Sequence, residues 1–314
     1  MKKAKSIIKF LSSLMHSNLS SSQPSQGVYF KNGSQYDVFR PVYPSHFIEK
    51  IRKAPKQFNN YLDIATGTGQ VLFQVHDIFN ELTLGADISE SMINVARQKA
   101  ESLKSAFKSE QDMKFLHGDC QKIDELIRKA NTDKRFDLIT IGEAFHWFEM
   151  EPLLQTIKNN LITEDGVLAI LSYFIGDIEL RSSNMELAKQ VSDGFLTFYK
   201  TVTVYSKFSQ EVLYSGYANV PFEKYFSIKK EKEIEKIPSS LEEVIGHLGT
   251  WSMYNTYVEK HSKEEGYKDP LLVFGDIMKN ALKEIESDPK NLNDPHKPFF
   301  MTVPYQLILA SNSI

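Results

Sequence analysis

From residue 60 onward the apolar positions follow two alternating rhythms. Short apolar runs of about five residues read as buried strands, and the stretches between them carry apolar residues three and four apart, as on one face of a helix. The runs are 61–65, 82–87, 113–116, 136–141 and 167–171. Val71, Leu72, Val75 and Phe79 stripe a helix after the first strand. Met92, Ile93, Ala96 and Ala100 stripe another, with Ser89 placed to cap its N-terminus. Pro152 stands where a further helix begins, and that helix runs to about Leu161. Strand and helix in alternation predict a mainly parallel sheet covered on both faces.

The alternation stops after Tyr173. Residues 185–214 and 239–286 read as mostly helical and are rich in aromatics. The Lys/Glu run within 222–237 fits a strand or helix edge with a solvated face. Residues 299–310 form a last strand, with Pro304 marking an edge or bulge. The expected fold is α/β: a Rossmann-like, seven-stranded, mostly parallel sheet with helices on both faces. Helical insertions would cap its C-terminal edge, where open α/β sheets bind ligands. One domain is expected over 36–314, with a core at about 58–173 and insertions and late strands at 174–314.

Composition narrows the possibilities. The 314 residues are 41% hydrophobic and 25% charged, with a formal net charge of −3. That is an ordinary globular balance without the basic field that nucleic acid selects, so nucleic acid is not an expected partner. Cys120 is the only cysteine, so no intramolecular disulfide forms, which fits a reducing compartment. No apolar run approaches bilayer-spanning length, and no membrane span is expected. The first 35 residues form a separate segment: Lys2, Lys3, Lys5, Lys9 and Lys31 precede the first acid, Asp37. Ile7, Phe10, Leu11, Leu14 and Met15 recur at helical spacing, followed by a serine cluster. This reads as a flexible basic tail in a cytoplasmic protein, or as a mitochondrial targeting segment.

The chemistry begins at Asp63-Ile64-Ala65-Thr66-Gly67-Thr68-Gly69, followed after one helix by Asp87. Gly67 and Gly69 give the turn backbone angles that let a ligand approach the main chain. Asp87 lies where a βαβ unit presents a carboxylate to a ribose. A dinucleotide fingerprint would need a third glycine where Leu72 stands, and a P-loop would need a lysine after the glycines. The turn therefore suits a nucleoside ligand with no phosphate to cradle.

In these residues the chain resembles the class I S-adenosylmethionine-dependent methyltransferases. More narrowly it resembles the branch containing trans-aconitate methyltransferase and the type 11 methyltransferases. The lead-in Tyr36-Asp-Val-Phe-Arg40-Pro41-Val-Tyr43-Pro44 is similar to that branch, as are Glu143-Ala144-Phe145-His146-Trp147-Phe148 and Thr250-Trp251-Ser252-Met253-Tyr254. The resemblance implies S-adenosyl-L-methionine as cofactor, no metal, and a small-molecule methyl acceptor. Asp63, Gly67 and Gly69 would shape the turn beside the methionine part, and Asp87 would accept both ribose hydroxyls. Ile88 and Met92 would pack on adenine, Asp119 would receive its amine, and Cys120 would line the edge. Tyr36 and Arg40 would close over the cofactor.

Glu143, His146 and Trp147 would stand nearest the transferring methyl, in positioning or substrate-side roles. The implied reaction is in-line displacement by a carboxylate or hydroxyl oxygen. A carboxylate has no proton to lose at neutral pH, so orientation would carry the rate. The alternative is a catalytically inactive methyltransferase-like subunit of a larger assembly. Where relatives acting on polycarboxylates carry a basic residue before the Thr-Trp-Ser block, this chain has Gly249, with His247 two residues upstream. That departure weakens the expectation of a tricarboxylate. The aromatics Phe195, Phe198, Tyr199, Tyr205, Phe208, Tyr214 and Tyr217 suggest a more apolar pocket.

Overall fold

The computed structural model describes residues 39–103, 112–286 and 296–312. The basic segment and Tyr36 lie outside the described residues. Eight strands form one sheet in the order β3-β2-β1-β4-β5-β8-β6, with β7 on β8. They are β1 (Asn60–Ile64), β2 (Leu82–Asp87), β3 (Asp112–His117), β4 (Phe136–Gly142), β5 (Ile162–Tyr173), β6 (Asp177–Leu180), β7 (Ser227–Ser239) and β8 (Phe299–Ser311). The first five pair in parallel, and β8 runs antiparallel to β5, β6 and β7.

The count is eight where the sequence pattern gives seven. The added strand, β6, has only four residues, too few for an alternation to register. The Lys/Glu run resolves as β7, paired along β8 over thirteen residues. Its charged side chains and Pro238 suit a strand at the margin of a sheet. Strand β5 is also longer than expected, because its first half reaches into the turn after a single π-helical turn at Ile157–Leu161.

Helices cover both faces. Those used below are α1 (Ser45–Lys53), α2 (Leu72–Val75), α3 (Glu90–Leu103), α4 (Ile123–Lys129), α5 (Met150–Thr156), α6 (Met185–Thr203), α7 (Gln210–Tyr214), α8 (Leu241–Gly249), α9 (Ser252–His261) and α10 (Pro270–Glu286). One core joins Phe47, Ile51, Leu72, Val75 and Ile93 to Val191, Phe195, Val244 and Phe274 of the insertions. The other packs Leu62, Ile64, Ile139 and Ile141 against Ile123, Ile127, Leu154 and Phe222. Tyr61 and Leu62, adjacent on β1, enter opposite cores, as the two-residue period of a strand dictates.

Strand order reverses between β1 and β4, which are neighbours although β2 and β3 intervene in sequence. Crossovers leave this point in opposite directions and open a crevice at the C-terminal ends of the two strands. The backbone is strained at both lips. Ala65, just after β1, has φ 55, and Glu143, just after β4, has φ 51. Left-handed backbone costs a residue with a Cβ about 1–2 kcal/mol, and such strain concentrates at functional sites. Ala65→Gly should therefore raise stability by about 0.5–1 kcal/mol, once glycine's greater unfolded freedom is subtracted. Urea melts showing a loss of stability would contradict strain at this position.

Candidate active site

Two cavities meet at the C-terminal edge of the sheet. The first has a volume of about 760 Å³ and is lined by Ala65, Gly67, Asp87, Ile88, Met92, Asp119, Cys120, Gln121, Gly142, Glu143, Ala144, Trp147 and Phe148. The strand ends explain this collection: the turn after β1, the acid ending β2, the loop after β3 and the segment after β4 converge there. Asp87 is buried, and its two carboxylate oxygens accept from the Gly67 N–H at 2.8 Å and the Ser89 N–H at 2.7 Å. Desolvation raises its pKa, against the pull of those N–H donors. Asp119 is exposed and accepts from the Gln121 N–H at 3.0 Å. Burial pushes the Cys120 thiol far up, so it is a small packing edge rather than a nucleophile.

Three acids and no basic side chain line this cavity among the described residues. That charge balance repels phosphates and suits a ligand carrying positive charge. A nucleoside joined to a sulfonium and an ammonium meets the requirement.

Asp63 and Gly69 do not line the cavity; they build the turn that does. The Asp63 carboxylate points into the protein and accepts from Thr66 Oγ1 at 2.6 Å and Thr140 Oγ1 at 2.5 Å. Tyr61 OH lies 2.8 Å from Thr140 Oγ1, extending the network. Burial lifts Asp63 to about 6, against those hydroxyl donors. Gly69 has φ 86, and a Cβ there would meet the Phe73 ring at 2.4 Å. Gly67, by contrast, has φ 56 and open space on its Cβ side.

The second cavity, of about 690 Å³, shares Glu143 and Trp147 with the first. Its other lining residues come from the lead-in (Arg40), β5 and the loop after it (Tyr173, Phe174, Ile175), and the insertions, including Tyr199, Phe208, Tyr214, Trp251 and Met253. Arg40 thus lines this second cavity, beside the wall it shares with the first. The reason is how the lead-in is tied down. Tyr305 OH donates to the Val42 carbonyl at 3.1 Å, and Gln70 Nε2 donates to the Pro41 carbonyl at 3.1 Å. The Arg40 guanidinium itself donates to Tyr173 OH at 3.3 Å.

His247 takes part in the same fastening. It is fully buried, with Nδ1 donating to the Phe39 carbonyl at 3.1 Å and Nε2 accepting from Trp251 Nε1 at 3.2 Å. Burial, reinforced by the Arg40 charge, lowers it to about 3. His146 is also buried, with Nδ1 3.3 Å from Tyr217 OH and the Phe208 ring centroid 4.2 Å away. Burial and Arg40 lower it to about 3 as well. Both histidines are neutral at pH 7, and a base of such low pKa has little driving force to remove a proton.

Glu143 is half-buried on the wall between the cavities. Its Oε1 accepts from the Tyr173 N–H at 2.6 Å, and its own N–H donates to the Leu171 carbonyl at 2.9 Å. Desolvation raises its carboxyl to about 7, opposed by Arg40 and the Tyr173 N–H.

Sequence reasoning missed Gln121 and Phe148 on the first cavity. Gln121 Nε2 donates to the Trp147 carbonyl at 3.2 Å and its Oε1 accepts from the Glu149 N–H at 3.3 Å, so it staples the loop after β3 to the segment after β4. Its position beside Asp119-Cys120 was the available signal. Of the insertion aromatics, Tyr199, Phe208 and Tyr214 line the second cavity. Phe195 and Phe198 instead pack on Trp251 and Phe274, Tyr205 contacts His261, and Tyr217 is buried under His146.

Comparison with known proteins agrees with this geometry. Residues 56–244 match the methyltransferase domain family. The chain belongs to that family. A Saccharomyces cerevisiae protein named as an S-adenosylmethionine-dependent methyltransferase is 23% identical over 184 residues, 58% of this chain and 54% of that protein. The matched part of the chain thus spans about half the length of the yeast relative. A Dictyostelium discoideum protein named as a methyltransferase is 24% identical over 85% of this chain and 90% of its own length. In fold, the chain is similar to a solved structure from Anaeromyxobacter dehalogenans described as a type II methyltransferase. The TM-score is 0.57 at 17% identity, covering 87% of this chain and 98% of that one. No helix among the described residues is long and apolar enough to cross a membrane.

Proposed function

We propose that the protein transfers the methyl group of S-adenosylmethionine to an oxygen of a small organic molecule held in the second cavity. The observation that carries this reading is the shared wall: Glu143 and Trp147 border both cavities, so donor and acceptor meet there. The bound cofactor supplies an electrophilic methyl on a positively charged sulfur.

The chain's residues do the rest. Asp87 holds the ribose hydroxyls through charge-assisted bonds, and its two existing N–H partners fix the carboxylate before the ligand arrives. Ile88 and Met92 flank the adenine, Asp119 takes its amine, and Cys120 closes the edge. Gly67, with no Cβ, lets the main chain lie against the ligand. The acidic lining favours the cationic donor over its neutral product, which aids turnover. Rate comes from holding acceptor oxygen and methyl in line, with water kept out by the aromatic wall. No observation favours the alternative of an inactive subunit.

The test is direct. S-adenosylhomocysteine at a hundredfold excess over its Kd should stabilise the protein by about 2.7 kcal/mol in urea melts. A metabolite extract incubated with isotopically labelled S-adenosylmethionine should gain the methyl mass on a small oxygen-bearing compound. No stabilisation, or labelling of protein alone, would sink the reading.

A further inference from the structure

The second cavity is mostly aromatic and nearly free of charge. Arg40 is the only cation lining it and Glu143 the only acid, among the described residues, because His146 and His247 are neutral. A polyanion would find one positive partner there and a like charge beside the reacting position. Even a single carboxylate would stand against the Glu143 carboxylate at the shared wall. A hydroxyl on a flat apolar molecule meets neither penalty. Glu143 commits Oε1 to the Tyr173 N–H, so Oε2 is the oxygen that would take a proton.

We propose that Glu143 is a general base, and that the acceptor is an apolar aromatic molecule whose hydroxyl Glu143 deprotonates as it is methylated. The proposal rests on the donor and acceptor cavities assigned above. As the hydroxyl oxygen bonds to the methyl carbon, its proton passes to the Glu143 carboxylate. The carbon–sulfur bond breaks and its electron pair stays on sulfur, leaving a neutral thioether; the proton then leaves Glu143 for solvent. The positive charge of Arg40 stabilises the oxygen as it becomes negative. The strained backbone at Glu143 holds the carboxylate at this junction rather than letting it turn to solvent.

The surroundings make the titration readable. The groups acting on Glu143 are Arg40 from the lead-in, Tyr217 from the segment after α7 and Tyr305 from β8. Burial pushes both tyrosines far up, and the two cavity histidines stand near 3. Asp87, Asp119 and Cys120 face Glu143 across the first cavity. Glu143 itself lies near 7, where a base works best at neutral pH.

The experiment uses the full chain with labelled S-adenosylmethionine, offering naphthol and naphthoic acid between pH 5 and 9. Naphthol should be methylated, with kcat rising through about pH 7 to a plateau. Glu143→Gln keeps an acceptor for the Tyr173 N–H; it should lower kcat about 100-fold or more and remove the rise. Its affinity for S-adenosylhomocysteine should stay near the parent's. Its melting temperature at pH 8 should not fall below the parent's, because the substitution removes a desolvated charge. Calorimetry with S-adenosylhomocysteine bound gives a readout without turnover. At pH 8 the parent should bind naphthol more tightly than naphthoic acid, and Glu143→Gln should bind naphthoic acid about tenfold more tightly than the parent does. Preferential methylation of naphthoic acid, an unchanged pH rise in Glu143→Gln, or naphthol unbound or bound without methylation would each overturn the proposal. A protein that fails to bind S-adenosylhomocysteine at all would overturn the donor assignment as well.

Discussion

Asp87→Asn should cut the affinity for S-adenosylhomocysteine about 100-fold while changing the stability of the ligand-free protein by less than about 1 kcal/mol. The loss follows from charge: two hydrogen bonds from ribose hydroxyls to a carboxylate are worth more than the same bonds to an amide, and a hundredfold is about 2.7 kcal/mol. The small change in stability follows from two opposed effects. The parent holds a desolvated acid whose pKa burial has raised, so removing the charge relieves a cost. Asparagine, however, turns an NH2 toward the N–H of Gly67 or Ser89, one of which loses its acceptor. Calorimetry for binding and urea melts for stability separate the two. A variant that binds within threefold of the parent would show that Asp87 does not hold the ribose.

Stability should be nearly level from about pH 6.5 to 4.5 and then fall by about 3 kcal/mol by pH 3. His146 and His247, near 3 in the fold and near 6.5 when unfolded, contribute stability that is present above pH 6.5 and lost as pH falls toward 3. Asp63 and Glu143 work in the opposite sense. Their folded values of about 6 and about 7 exceed their ordinary ones, so the fold takes up their protons first and gains stability as pH falls through 7 to 4. Between pH 6.5 and 4.5 two protons oppose two. Below that only the histidines remain, at about 1.4 kcal/mol per group per pH unit. Asp87, raised, and His76, lowered, add to the two sides equally in direction. Glu143→Gln removes one compensating acid, so its decline should begin near pH 6.5. Urea melts across pH test both curves; a parent that loses stability steadily from pH 6.5 would break the balance described.

The parallel half of the sheet was legible because β1, β2, β4 and the second half of β5 are buried on both faces and read as short, largely apolar runs. Strand β3, mostly exposed at the edge, showed only a four-residue run. Asp87, Asp119 and Glu143 were placed by the same logic, since each stands at a strand's last residue or within two residues beyond it. Asp63 was found by motif, yet its chemistry was not: nothing in Asp-x-Ala-x-Gly-x-Gly says that the carboxylate turns inward to two threonines, one of them 77 residues away. The setting of Arg40 was hidden for a similar reason. Its position depends on bonds from Gln70, Tyr305 and His247 to the lead-in around it, three residues from three distant parts of the chain. The insertion aromatics carried too little pattern to separate Tyr199, which lines a cavity, from Phe198, which fills a core.

The cofactor cavity draws only on residues between Ala65 and Phe148, whereas the acceptor cavity needs parts from Arg40 to Met253. On the proposed assignment, donor recognition is a property of four consecutive strand ends, and acceptor recognition a property of the whole topology. Substitutions in the insertions, such as at Tyr199, Tyr214 or Met253, would then reshape the acceptor side while leaving the lining of the first cavity unchanged.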